Sequence, residues 1–346
     1  MSSLPYLNIA GYFIKYGGVV TVFTNSLLIY LTCKKIKTIH FTYKCLIVLM
    51  AFLGIVFSLL EIVLNPFTHS YNASFIYFSG SEATGNSLTL KFLLLCAFST
   101  TYMIIICFLA IQFTYRYLAL LSPKFLKLFN TWRAVIWVMY SLACTVFWIA
   151  ALNQISPDSY SKKYLNREME ENYGFDVEYL AQYHLVAYDD HGSLRMHNFY
   201  ALCLLTAILV FQYIIILYFG FKTHTGIKAA MSVNTRSAKT HNLHTQLFKT
   251  LVLQITIPSI FYNSPVFLMY LIPYLGLQIS CPSGVMICAF SLYPATDSMI
   301  LMWMFAEYQK IIKKALGKLV QTVLKWSDVR EEDSTTDEAK VEMRRM

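Results

Sequence analysis

Of the charged residues in this chain, only Glu61 and Asp297 fall clearly inside its seven long apolar runs. A carboxylate in such surroundings is costly unless it has a partner or a task. On helices rising about 1.5 Å per residue, Glu61 lies about 24 Å along the second run and Asp297 about 22 Å along the oppositely directed seventh. They stand at opposite depths, which argues against a carboxylate dyad. Glu61 is either a polar group at the mouth of a pocket or a side chain that snorkels to the interface or pairs with Lys91. Asn25 in the first run shares the depth of Asp297, and Pro294 loosens the helix three residues earlier. An Asn25–Asp297 contact at that place is the polar element of a conformational switch or a static interhelical hydrogen bond.

Other residues suggest binding rather than reaction. Ser99, Thr100, Thr101 and Tyr102 in the third run, Tyr262 and Asn263 in the sixth, and Phe290 and Ser291 in the seventh are a few polar groups among many apolar ones. That is the lining of a pocket for a small, weakly polar molecule. Pro258 and Pro265 kink the sixth run, so its far end can move when a ligand closes the near one. Phe113-Thr114-Tyr115-Arg116-Tyr117 places one arginine between aromatics at the end of the third run. Arg116 can hold neighbouring helices, reach a partner's carbonyls, or anchor the helix at the interface. No HExxH, GxSxG or phosphate loop occurs, and the seventh run has no lysine to hold retinal as a Schiff base. His241 and His244 sit in a basic, polar loop and read as solvated rather than as metal ligands. The sequence implies neither metal nor cofactor, and no enzyme activity.

The elements that position these residues follow from hydropathy and charge. With 57% hydrophobic and 14% charged residues, the chain lacks the surface of a water-soluble protein. Spans are expected at about 10–33, 45–64, 91–115, 132–153, 199–221, 247–273 and 282–304, each near the roughly 20 residues needed to cross a bilayer. The gaps at 34–44, 116–133 and 222–249 are basic and hold no acid, whereas 154–198 has eight acids against four bases. Basic loops mark the cytoplasmic side, so the expected fold is an all-α seven-transmembrane helix bundle with its N-terminus outside and its C-terminus cytoplasmic. The same topology accounts for most of the +9 net charge, which therefore does not point to nucleic acid.

Asn72-Ala73-Ser74 is a glycosylation sequon in the first outer gap. The gap at 154–198 suggests a lid over the bundle. Of eight cysteines, only Cys96 and Cys281 lie near the outer face; they are a bridge or two free thiols. Residues 305–326 alternate apolar positions with Lys310, Lys313, Lys314 and Lys318 at helical spacing, the pattern of an amphipathic helix on anionic lipid. Residues 327–346 form an acidic tail of disordered composition.

Read in order, these landmarks resemble the nematode seven-transmembrane chemoreceptors of the Str class, candidate G-protein-coupled odorant receptors. The resemblance runs through Thr42-Tyr43-Lys44, Glu61 with Pro66 and His69, Tyr115-Arg116-Tyr117, Gln246-Leu247-Phe248-Lys249 with Gln254 and Pro258, and Tyr293-Pro294 with Asp297. It implies that Arg116 occupies the place of the arginine in the Asp-Arg-Tyr motif of rhodopsin-like receptors, with Tyr115 replacing the acid. Tyr115, Arg116 and Tyr117 would then face a heterotrimeric G protein. Ser298 stands where similar receptors often carry proline. The resulting expectation is a chemosensory receptor in the plasma membrane, in sensory cilia by this resemblance. It would bind an odorant or a water-soluble attractant or repellent in the outer half of the bundle. The alternative is a ligand-gated channel or small-molecule transporter; the paired broken helices and internal repeat of a transporter are not seen.

Overall fold

The computed structural model describes residues 3–81, 87–129, 131–232, 238–260, 264–277, 279–284, 288–318 and 320–322. Helices α1 (Leu4–Lys34), α2 (Phe41–Leu64), α3 (Leu88–Leu121), α4 (Val135–Gln154) and α6 (Met196–Ser232) each carry a stretch long and apolar enough to cross a bilayer. Two further crossings are segmented. Helix α7 (Ala238–Pro258) ends at its proline and is followed by α8 (Ser264–Leu271). The last pairs a 3₁₀ turn, Cys288–Leu292, with α9 (Tyr293–Met304). Pro294 explains the second division, since in the first turn of α9 it offers no N–H and crowds the turn before it, and Pro258 loosens the last turns of α7 in the same way.

Small residues bring α1, α2 and α9 together. A Cβ on Gly54 would stand 2.8 Å from the Pro294 Cβ, and one on Gly18 would stand 2.4 Å from Ile62. In lipid, helix association depends on such close backbone approach. Two large buried clusters occupy the ends of the bundle, and a smaller one joins α3, α6 and α7. Phe57, Phe98, Trp148 and Leu205 belong to one end, and Leu28, Tyr43, Tyr115, Phe129 and Tyr308 to the other.

The fold departs most from an all-helical expectation at the first of these ends. Strands β1 (Pro66–Tyr71), β2 (Ser74–Ser79), β3 (Gln182–Val186) and β4 (Ser280–Cys281) form an antiparallel sheet in the order β3-β2-β1-β4. Asn65, at φ 44°, ends α2, and Asn72, at φ 46°, turns β1 into β2; asparagine tolerates this left-handed region. Strand alternation then gives the sheet two faces. Phe75, Tyr77, Tyr183 and Leu185 face the bundle, while Phe67, Ile76, Phe78 and Val186 face α5 (Ser159–Tyr173). Leu165, Met169 and Tyr173, spaced by four, are the stripe by which α5 covers the sheet. A capping box between Asp158 and Ser161 starts this helix, and Gly174, at φ 72°, ends it. The lid expected over 154–198 is thus one part of a cap that also draws on residues 66–79 and 280–281.

Several boundaries shift. Helices α1, α3 and α6 extend beyond the expected 10–33, 91–115 and 199–221, and the expected seventh span, 282–304, is a single α-helix only from Tyr293. Pro294 consequently sits in the first turn of α9 rather than within a continuous helix. Cys96 and Cys281 are free thiols, so no bridge joins them. After Met304 the chain is helical over 306–318 and 320–322. Its Tyr308 is buried, whereas Lys310, Lys313, Lys314, Lys318, Leu316 and Val320 are exposed. The acidic tail lies outside the described residues.

Candidate functional site

Beneath the sheet, the bundle encloses a cavity of about 420 Å³. The bundle-facing sheet residues Thr68, Phe75, Tyr77, Tyr183 and Leu185 form its roof, and α2, α3, α4, α6 and α8 form its walls. Phe98, Tyr102, Trp148, Phe267 and Phe290 make the lining aromatic. No Asp, Glu, Lys, Arg or His occurs among the described lining residues. The polar groups are mostly engaged: the Trp148 indole N–H donates to Ser99 Oγ at 3.0 Å, and the Tyr213 and Ser259 hydroxyls lie 3.0 Å apart. The Tyr77 hydroxyl is buried and lacks a hydrogen-bond partner among the described residues. Such a cavity can hold an uncharged, largely apolar molecule and offer it few directed contacts.

Ser99, Tyr102 and Phe290, three of the expected pocket residues, line this cavity; the Tyr102 ring meets Phe290 edge-on at 5.7 Å. Glu61 and Ser291 do not. Ser291 Oγ donates to Glu61 Oε1 at 2.7 Å in a contact closed to solvent. Glu61 is therefore neither a group at a pocket mouth, nor a snorkelling side chain, nor a partner of Lys91. Its depth along α2 was legible, but its direction was not: Tyr43, Ile47, Ala51, Gly54, Ser58 and Glu61 form one buried stripe. Tyr262 and Asn263 lie outside the described residues, as do the side chains of Pro265, His241 and His244. The roof residues and Trp148 were missed. Alternating Phe75, Tyr77 and Tyr183, Leu185 was the available signal, set in segments that read as connecting loops.

Deeper in the bundle, Asn25 does contact the seventh crossing, but through a different residue. Its Nδ2 donates to the carbonyls of Thr21 at 2.9 Å and Pro294 at 3.2 Å, and its Oδ1 accepts from Ser298 Oγ at 2.5 Å. Asp297 is not its partner. Successive helical residues point about 100° apart, so Ser298 faces α1 while Asp297 turns toward α7. There Gln254 Nε2 lies 3.4 Å from the Asp297 backbone carbonyl, and Asp297 Oδ1 has no hydrogen-bond partner among the described residues.

At the end opposite the sheet, Arg116 is 5% exposed, with its guanidinium 3.4 Å from the centre of the Tyr43 ring. Its Nε and Nη2 have no hydrogen-bond partner among the described residues. Tyr115 stacks on Tyr43 at 5.5 Å and meets Phe129 edge-on at 5.0 Å, while Tyr117 lies 5.4 Å from Phe219. Of the three residues expected to meet a partner, Tyr115 and Arg116 are packed inward here.

The cap carries titratable groups of its own. His69 is buried between Glu168, 3.0 Å from Nε2, and the Tyr173 hydroxyl, 3.0 Å from Nδ1; burial lowers its pKa against the opposing pull of Glu168. His184 bonds Ser161 Oγ through Nδ1 at 2.9 Å, and burial pushes its pKa down to about 3. Burial tends to raise Asp158, but hydrogen bonds from Ser161 and the nearby Arg195 guanidinium outweigh it and hold the carboxyl below its usual value. Asn72 is half-buried at the hairpin tip, its backbone N–H donating to Ile279 at 2.7 Å. Among the described residues no three or more His, Cys, Asp or Glu side chains gather as a metal site.

Comparison with known proteins gives this architecture its context. Squid rhodopsin superposes with a TM-score of 0.59 over 91% of this chain and 87% of its own, at 13% identity. The chain is 37% identical over 292 residues to the G-protein coupled receptor str-33 of Caenorhabditis elegans, covering 82% of this chain and 84% of that one. It is 23% identical over 280 residues to serpentine receptor class r-10 of the same organism, covering 78% and 80%. The model of the serpentine-type seven-transmembrane chemoreceptor family Str matches residues 10–313. With a rhodopsin-like bundle, a roofed cavity and a family match across nearly all of its length, this chain is a multi-pass membrane protein and belongs to the Str family of serpentine G-protein-coupled chemoreceptors.

Proposed function

We propose that the chain is a chemosensory receptor of the plasma membrane. It takes a small molecule, an odorant or a water-soluble attractant or repellent, into the roofed cavity and signals to a heterotrimeric G protein at the opposite end. The observation that carries this reading is the cavity itself, with no charged side chain among its described lining residues and with Phe290 at the start of the seventh crossing in its wall. Ser291 is tied to Glu61 and to the Thr21 hydroxyl, and Pro294 and Ser298 to Asn25. A ligand against Phe290 thus meets an element coupled by hydrogen bonds to α1 and α2. It shifts the receptor only in so far as it binds one arrangement more tightly than another.

In this reading the sheet and N-terminus are extracellular, Asn72 is glycosylated, and the ciliary membrane of a sensory neuron is the site of action. Tyr115, Arg116 and Tyr117 stand at the end that receives the G protein, where Arg116 must leave its place over Tyr43 to meet it, and the helix over 306–318 lies on anionic lipid. A screen of volatile and water-soluble metabolites in cells expressing the chain, read by calcium or cyclic nucleotide, tests it. A ligand response lost on removal of the G protein is expected. An agonist-evoked current that needs no G protein would replace the receptor with a channel.

A further inference from the structure

We infer that the cavity is reached sideways from the bilayer, through a gap between α6 and α8, and that its ligand is an uncharged, lipid-soluble molecule. This deepens the proposed function and rests on the cavity being the ligand site.

The roof is closed. Thr68, Phe75, Tyr183 and Leu185 are each 4% exposed or less. The sheet is also fastened around its edge. The His184 N–H donates to the Ile155 carbonyl at the end of α4 at 2.8 Å, and Asn198 Nδ2 at the start of α6 donates to the Val186 carbonyl at 2.7 Å. The Tyr188 hydroxyl donates to the Tyr274 carbonyl just beyond α8 at 3.2 Å. Access from above would require several of these bonds to open together.

The walls differ from side to side. Lining residues on α2 and α4, Phe57, Trp148 and Leu152, are buried. Three lining residues are exposed on the outside of the bundle: Val210 on α6, at 49%, and Ser264 and Phe267 on α8, the latter at 44%. The exposed part of the described lining thus belongs to α6 and α8. Val210 stands about 21 Å along α6 from Met196, and a hydrocarbon core is about 30 Å thick. The opening therefore faces acyl chains rather than water.

Route and cavity impose the same chemistry. An ion would lose its hydration on the way in and would find no charged partner among the described lining residues. An uncharged molecule first concentrates in the bilayer, then passes between Val210 and Phe267. The buried Tyr77 hydroxyl is placed to make one hydrogen bond with it.

The test uses the full chain in phosphatidylcholine nanodiscs, with 1-aminoanthracene as an uncharged fluorescent probe and 1-anthracenesulfonate as its anionic counterpart. Val210→Trp and Phe267→Trp narrow the gap, and Phe267→Ala widens it. Val146→Trp alters a lipid-facing position on α4, 63% exposed and outside the cavity lining. The two narrowing variants are expected to slow both association and dissociation by about tenfold, while Phe267→Ala speeds both. Val146→Trp should match the parent, and the sulfonate should bind at least about 100-fold more weakly. Unchanged rates in all the gap variants, with the probe bound, would overturn the lateral route alone. Equal binding of the sulfonate would overturn the ligand class. No binding of the uncharged probe to any variant would overturn both, together with the assignment of the cavity as the ligand site. Because this assay needs no G protein, a failure of signalling remains a separate result.

Discussion

Arg116 is held over the Tyr43 ring with two of its nitrogens unpaired among the described residues, a costly position for a guanidinium. Its rigid, multi-donor fork is suited to exchange this stacked position for a partner's carbonyls. Arg116→Ala is therefore expected to preserve surface expression while lowering the maximal ligand response per receptor by at least about tenfold, the equivalent of about 1.4 kcal/mol. Arg116→Lys should not restore it, because lysine keeps the charge and loses the planar fork. A normal response from Arg116→Ala, measured by surface labelling and second-messenger output, would reduce the residue to an interfacial anchor. The Asn25 cluster makes a second prediction. Ser298→Ala leaves the buried Asn25 Oδ1 without its donor, at a cost of about 1–3 kcal/mol. Basal activity should change more in Ser298→Ala than in Asp297→Asn, which keeps the shape of a side chain that does not touch Asn25. The reverse order, at matched surface expression, would return the switch to Asp297. The sequence showed that α1 and the seventh crossing meet at a polar position near Pro294. It did not show which of two adjacent residues makes the contact, because depth follows from counting residues while direction around a helix depends on its neighbours.

At the scale of elements, the cap is the part least visible in the sequence and the part most open to pH. Helical spans announce themselves by long apolar runs, whereas β1 and β2 are six residues each and acquire a core only when β3, from a distant loop, pairs beside them. Their alternation and the Asn72 turn were there to be read, as was the Leu165, Met169, Tyr173 stripe of α5. What no local pattern carried was the pairing of segments about 110 residues apart. Between sheet and helix lies His184, faced by Ser161, Asp158 and Lys162 from the α5 side and by Arg195 before α6. Its folded pKa, about 3, lies below the ordinary 6.5. The unfolded cap therefore binds more protons below that value, and stability is full above pH 6.5 and falls as pH drops toward 3. At pH 5 the loss from His184 alone is about 2 kcal/mol, and the lowered pKa of His69 adds to it in the same direction. The protection of residues 159–186 against hydrogen exchange, taken relative to the intrinsic rate at each pH, should fall by more than about tenfold between pH 7 and pH 5, and His184→Asn should flatten that dependence. Equal protection factors at the two pH values would mean that His184 is not held neutral by the fold.

For the whole molecule, the placement of the ends constrains the number of crossings. The Ser3 backbone N–H and hydroxyl donate to Asn172 of α5, each at 3.0 Å, so the start of the chain is fastened to the cap. Tyr308, beyond the last crossing, lies at the opposite end, 2.7 Å from the Thr32 hydroxyl. The chain thus traverses the bundle an odd number of times. The basic segments approach the Tyr308 end: the Lys44 ammonium donates to the Ile36 carbonyl at 2.5 Å, and Phe129 and Leu247, flanked by Lys127 and Lys249, pack in the same cluster as Tyr308. Positive charge is retained on the cytoplasmic side during insertion, and the proposed orientation, with the cap outward, rests on that rule. An epitope tag before Ser3 should accordingly be labelled on intact cells, and one after Met346 only once they are permeabilised. The two tags together separate two kinds of error. Exchange of the labelled ends would keep the odd count and reverse the orientation, leaving Arg116 outside and unable to meet a G protein. Labelling of both tags, or of neither, on intact cells would require an even number of crossings, which an N-terminus at the cap and Tyr308 at the far end do not permit.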